Sequence, residues 1–139
     1  MLIVRNPLDT CASLYKRFGS LDYAIERWLL DNQALADSLD NANTLLVRYE
    51  QLTCEPEETL RHVCGFLGLP WSPDILTLEG SGYESGENTH ANMLIRKQQV
   101  SRPISDNNGK WRMVLDDPQA ERVRSATADL ATRLGYGVA

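Results

Sequence analysis

A β-branched apolar run that stops at Arg5-Asn6-Pro7 constrains this chain more than any other feature. Leu2-Ile3-Val4 reads as a short strand, and a helical pattern follows at once through Thr10, Cys11, Leu14 and Phe18. Asn6 can cap that helix, and Pro7 suits its first turn, where the missing N–H costs nothing. Asp9 falls at the third helical position, from which a carboxylate can reach back to the cap in capping-box fashion. Arg5 is thereby held at the carboxyl end of a strand and beside the amino end of a helix. Ligands of open α/β sheets sit at such places, and a helix amino terminus favours anions. Ser13 and Arg17 are four apart and share a helix face. Arg5, Ser13 and Arg17 can together offer a guanidinium fork, a hydroxyl and a second cation to one phosphate.

Ser20 can cap a second helix whose apolar stripe runs Leu21, Ala24, Ile25, Trp28, Leu29, Leu35, Ala36 and Leu39, with Trp28 as its core anchor. Asp40 to Asn43 break the pattern, and Thr44 to Tyr49 read as a buried strand. Pro56 opens another helix with Leu60, Val63, Cys64 and Leu67 on one face, and Gly68 ends it. Leu69 to Pro73 form an ordered turn. Gly80 to His90, rich in Gly, Ser, Glu and Asn, suggest an exposed, mobile loop that can cover a site. Asp117 and Pro118 start a last helix through Val123, Thr127, Leu130 and Leu134, and Gly135 stops it. The order strand, helix, helix, strand, helix favours an α/β fold with parallel strands.

The 139 residues suit one domain with a real core, and 42% hydrophobic with 24% charged residues is a soluble, globular balance. A formal net charge of −5 argues against a nucleic-acid binder but leaves room for a local basic pocket. Cys11, Cys54 and Cys64 are an odd set without metal-ligand spacing, which suggests three reduced thiols in a cytoplasmic protein. No apolar run approaches a membrane span, and Arg5-Asn6-Pro7 interrupts what would otherwise open a leader. His62 reads as a surface residue and His90 as a loop residue. Neither a Ser–His–Asp spacing nor a paired acidic motif or metal signature is present.

Three separated segments carry a family resemblance. Arg5-Asn6-Pro7-Leu8-Asp9 with Ser13, after a strand, resembles the 3′-phosphate-binding segment of sulfotransferases that use 3′-phosphoadenosine-5′-phosphosulfate (PAPS). Arg17 matches a further phosphate-contacting arginine of the protein-tyrosine branch. Arg48-Tyr49-Glu50-Gln51-Leu52, leading into Phe66-Leu67-Gly68, is similar to the family's Tyr-Glu-x-Leu strand and its following helix. The resemblance implies that Tyr49 contacts the adenine, a fitting task for an aromatic face with a hydroxyl. Glu50 then orients neighbouring backbone or Arg48. Gln99-Val100 and Asn108-Gly109-Lys110-Trp111 resemble the segment that folds over the nucleotide. Lys110 would approach the phosphates while Trp111 packs the loop against the body. Arg96 and Lys97 stand near a serine of the tyrosine branch, as phosphate contacts or as a solvated cluster.

The fold so implied is α/β: the helix-rich C-terminal part of a P-loop-like, three-layer sulfotransferase fold with a short parallel sheet. The family places a Gly-rich phosphosulfate loop and a histidine or glutamate base before the Arg-Asn-Pro strand. Residues 1–139 are accordingly expected to be a partial domain lacking both, with the catalytic residues unknown and no metal. The implied cofactor is PAPS, with adenosine 3′,5′-bisphosphate (PAP) as product and an acceptor hydroxyl as second substrate. The expected activity is sulfuryl transfer, incomplete in the isolated chain. The alternative is a non-catalytic nucleotide-binding or interaction remnant of a sulfotransferase. Pairing through an exposed sheet edge would follow from the truncation. A nucleotide-kinase reading is weaker because the P-loop Gly-Lys-Ser/Thr is absent.

Overall fold

Residues 1–76 and 107–137 are described by the computed structural model of the chain. The reading of Gly80–His90, and those of Arg96, Lys97, Gln99 and Val100, lie outside these residues. The chain divides into two compact units, Met1–Gln51 with Asn107–Ala139, and Leu52–Asp106.

In the first unit, β1 (Leu2–Val4) ends where expected, and α1 (Pro7–Phe18) follows after Arg5 and Asn6. Gly19, left-handed at φ 73°, closes α1 by donating to the carbonyl of Tyr15. Ser20 caps α2 (Leu21–Asp37), its hydroxyl accepting from the N–H of Tyr23. The second strand is shorter than expected: β2 spans Leu46–Arg48, and Tyr49 already opens a short helix, α3 (Tyr49–Cys54). β1 and β2 pair in parallel with Leu2 opposite Leu46 and Val4 opposite Arg48, so α1 and α2 form the crossover between them.

The last helix, α5 (Asp117–Arg133), begins with a reciprocal box. Asp116 Oδ1 accepts from Gln119 N (2.8 Å), and Gln119 Oε1 accepts from Asp116 N (3.1 Å). Residues of α1, α2 and α5 build one core, including Cys11, Ala24, Trp28, Val123 and Leu134. Ala12, Ala24 and Ala120 are buried in the same core. Trp28 is the anchor its pattern suggested, 2% exposed, and its indole N–H donates to the carbonyl of Arg5 (3.1 Å). That bond satisfies a carbonyl just beyond the strand ladder and ties α2 to the end of β1. Cys11 is fully buried with its thiol directed at the carbonyl of Ala24 (3.5 Å), and burial pushes its pKa up to about 12.

The second unit carries α4 (Pro56–Leu67), with Pro56 at its first position and Glu57 and Glu58 in the first turn, where acidic groups suit the macrodipole. Gly68 caps it in the left-handed region at φ 67°. Val63 and Cys64 are buried as expected, but Leu67 is 50% exposed, so burial along the stripe stops one turn short of the helix end. The guanidinium of Arg61 lies 4.4 Å from the centre of the Trp71 ring, and a 3₁₀ turn (Pro73–Leu76) follows. Among the described residues, no helix is long and apolar enough to cross a membrane.

Gly135 stops α5 for a reason beyond its φ of 79°: a Cβ there would stand 1.9 Å from Arg48 Nη2. Gly19 has a similar φ of 73° but open space around it. Gly19→Ala should therefore cost about 1 kcal/mol, the left-handed penalty alone. Gly135→Ala should cost about 1 kcal/mol more, because Arg48 must leave its place over the Tyr136 ring. Urea midpoints of both variants check the order, and in an Arg48→Ala background Gly135→Ala should cost no more than Gly19→Ala.

Candidate functional site

Pro7 cannot donate and Asn6 is its cap, so the junction after β1 needs side chains to complete its hydrogen bonding. Asn6 Oδ1 accepts from Asp9 N (2.8 Å), the cap that the sequence predicts. The return half differs. The Asp9 carboxylate reaches the side-chain amide of Asn6 (Nδ2 to Oδ2, 2.8 Å), while the backbone N–H of Asn6 goes to Glu50 Oε1 (2.9 Å). Asn6 Nδ2 gives its other hydrogen to the same Glu50 oxygen (2.9 Å). The remaining Glu50 oxygen accepts from the Tyr136 hydroxyl (2.8 Å). Glu50 thus orients backbone, as one of the two roles read for it required, but the backbone is that of Asn6.

Asp9 is 3% exposed and sits in the first turn of α1, where the helix dipole favours an anion. The amino end of α1 therefore already holds the protein's own carboxylate. Asp9 Oδ2 also accepts from Gly109 N (2.9 Å), and Oδ1 from Trp111 N (2.9 Å). Trp111 begins no long helix: Lys110–Met113 is a single 3₁₀ turn. Sequence reading gave Asp9 only a capping role, because contacts 100 and 102 positions away leave no local pattern.

Arg5 leaves β1 on this junction. Its Nη2 donates to the carbonyl of Asn107 (2.9 Å), and its guanidinium lies 4.6 Å from the centre of the Tyr49 ring. Its Nε is buried and has no hydrogen-bond partner, and no carboxylate pairs with Arg5 among the described residues. Lys110 is exposed, with its ammonium donating to Asn107 Oδ1. Arg5, Tyr49 and Lys110 are thus brought together, the last through Asn107. Asp9, Ser13 and Arg17 recur every four residues of α1, so Ser13 stands one turn beyond the carboxylate that holds the Lys110 segment. Ser13 and Arg17 both face solvent, and Arg17 lies 5.3 Å from the Phe18 ring centre.

A half-open cleft of about 260 Å³ is lined by Asn6, Leu8, Trp111, Arg112, Arg124 and Tyr136 among others. None of the five candidate residues lines it, but Asp9 and Gly109 do, so it adjoins the junction that Arg5 leaves. The guanidinium groups of Arg112 and Arg124 lie 4.4 and 5.3 Å from the centre of the Trp111 ring, which accounts for how Trp111 packs. Among the described residues, no three His, Cys, Asp or Glu side chains gather as a metal site. Cys11 and Cys64 are free thiols.

Comparison with known proteins agrees with this geometry at the level of fold. The model of the Sulfotransferase family matches residues 1–73, a span that includes Arg5, Ser13, Arg17 and Tyr49. A solved structure, the sulfotransferase domain from the curacin biosynthetic pathway, is similar to this chain at a TM-score of 0.56 and 23% identity. The match covers 97% of this chain and 53% of that one, so the chain spans about half the length of the domain it resembles. No curated protein matches.

The Tyr136 phenol gives the junction a pH dependence. Burial first, and then the charge and hydrogen bond of Glu50, raise its pKa well above the ordinary 10, with Arg48 and Arg5 opposing. A raised acid pKa means that the unfolded chain releases its proton first. Stability is therefore intact below the unfolded value and falls as pH climbs past it. Urea denaturation should show stability dropping from pH 8 to pH 10.5, with Cys11 contributing above pH 9. Tyr136→Phe should lower stability at pH 8, by losing a bond to a charged acceptor, and flatten part of the alkaline fall.

Proposed function

The chain belongs to the sulfotransferase family, and from that premise we propose that residues of its first unit form the nucleotide half of a PAPS-dependent sulfuryl-transfer site. One observation carries the reading: Arg5 is a partly buried cation with an orphaned N–H and no carboxylate partner among the described residues. Burying an unpaired charge is costly, and a phosphate is the group that a guanidinium fork satisfies best. Residues present fit that group. Arg5 takes the 3′-phosphate, the Ser13 hydroxyl adds a neutral donor, and Arg17 and Lys110 supply further positive charge. Tyr49, with one face against the Arg5 guanidinium, offers its other face and hydroxyl to the adenine.

When bound, PAPS supplies the activated sulfuryl group. The protein's own work is to hold the nucleotide so that an acceptor hydroxyl can approach in line, and to stabilise charge on the leaving oxygens. Cations held by a packed scaffold do this without reorganising. The described residues suggest no general base, so the acceptor-activating group is assigned to sequence outside this half-site. Among the described residues, both strands of the two-stranded sheet keep one edge free, and Ile3 on β1 is half exposed. Further strands, from the same polypeptide or another, are proposed to pair there.

The test is a calorimetric titration of the chain with PAP, with ATP as comparison. PAP should bind and ATP should bind more weakly. Arg5→Ala, which removes a charged hydrogen-bonding group, should lower PAP affinity about 10- to 100-fold. Unchanged affinity in folded Arg5→Ala and Ser13→Ala variants would overturn the reading. Sulfuryl transfer by the chain alone would exclude the non-catalytic alternative.

A further inference from the structure

We propose that Asp9 is the positioning residue of the nucleotide half-site, holding the segment that carries Lys110 and the carbonyl partner of Arg5; this rests on the function proposed above. Asp9 itself is buried and shares no contact with Arg5, Tyr49 or Lys110 side chains in the hydrogen bonds seen. Its two oxygens instead grip the main chain on both sides of Lys110, taking the N–H of Gly109 and of Trp111 at 2.9 Å each. A residue held at both neighbours has little freedom left in its own backbone. Gly109 is left-handed at φ 75° to enter this turn, and a Cβ there would stand 2.9 Å from Arg112 Nη1.

Asn107 lies two residues before Gly109 and connects both cations: its carbonyl accepts from Arg5 Nη2, and its Oδ1 accepts from Lys110 Nζ. One carboxylate therefore sets where two candidate phosphate-binding groups stand. Asn6 fixes the carboxylate in turn, through Nδ2 to Oδ2 at 2.8 Å, and is itself fixed by Glu50, the neighbour of Tyr49. The Tyr49 side and the Lys110 side of the half-site are linked by this chain of largely part-buried hydrogen bonds. An amide cannot replace the carboxylate, because Asp9→Asn turns one acceptor into a donor facing another donor.

Four proteins test this by PAP titration: the full wild-type chain, Asp9→Asn, Lys110→Ala and the double variant, with circular dichroism to confirm folding. Asp9→Asn should lower PAP affinity about tenfold, the effect of one charge-assisted hydrogen bond. Lys110→Ala should cost clearly less in the Asp9→Asn background than in the wild type, since the turn no longer holds Lys110 in place. A purely structural role for Asp9 would leave the two effects additive, and additivity overturns the proposal, as does unchanged affinity in Asp9→Asn. Wild-type chain that fails to bind PAP sinks the nucleotide reading and this inference together, whereas binding with additive variants sinks this inference alone. Should Asp9→Asn not fold, hydrogen exchange on the wild type decides. Protection of the Gly109 and Trp111 amides before PAP is added supports the proposal, and protection gained only with PAP overturns it.

Discussion

Everything around the candidate site depends on a carboxylate that is hidden from water and paired on both oxygens. Asp9 at 3% exposure would be an expensive residue to bury unless its lone pairs met donors. It meets three: the amide of Asn6 and the main-chain N–H groups of Gly109 and Trp111. The helix dipole of α1 adds to their effect, since the carboxylate lies in the first turn. Because the donors come from segments about 100 residues apart in sequence, the cost of burying one charge is turned into a tertiary link between β1–α1 and the turn before α5.

Glu50 repeats the arrangement on the other side of Asn6. It takes two N–H groups from Asn6 and the hydroxyl of Tyr136, so the start of α1, the end of β2 and the segment after α5 meet at one side chain. Asn6 is the shared element, with its amide hydrogens divided between two carboxylates and its carbonyl oxygen on the backbone. Such a network is sensitive to any single loss, because each member leaves another unsatisfied. The neighbouring Arg5 is its counterpart: a cation with hydrogen-bonding capacity to spare, stacked on Tyr49 and held by one carbonyl. Anions paired on both oxygens thus stand beside a cation whose Nε has no partner.

How much of this was legible depended on range. The strand, the Asn6 cap, Pro7 and the Ser20 cap rest on interactions within a few residues and read directly from the chain. The burial of Trp28 and the stop at Gly135 were legible from periodicity and residue type, although distant partners complete them. Arg5 and Ser13 became candidates through their spacing from a strand end and by family likeness, and Tyr49 by family likeness alone. The early end of β2 was not legible, because Thr44–Tyr49 keeps its apolar character while the backbone turns into α3 at Tyr49. Nor was the box at Asp116, passed over for the Asp117-Pro118 pair beside it.

The sequence by itself determined the local geometry: a parallel α/β unit whose first strand delivers an arginine to the amino end of a helix. Only the tertiary structure decided that Asp9 serves the Lys110 segment, that Glu50 serves Asn6, and that Arg5 keeps an unpaired N–H. Caps and turns are set by neighbours along the chain, whose chemistry is written side by side. Which donor finally meets a buried acceptor is settled by which distant segments pack together, and that follows from the shape of the whole core.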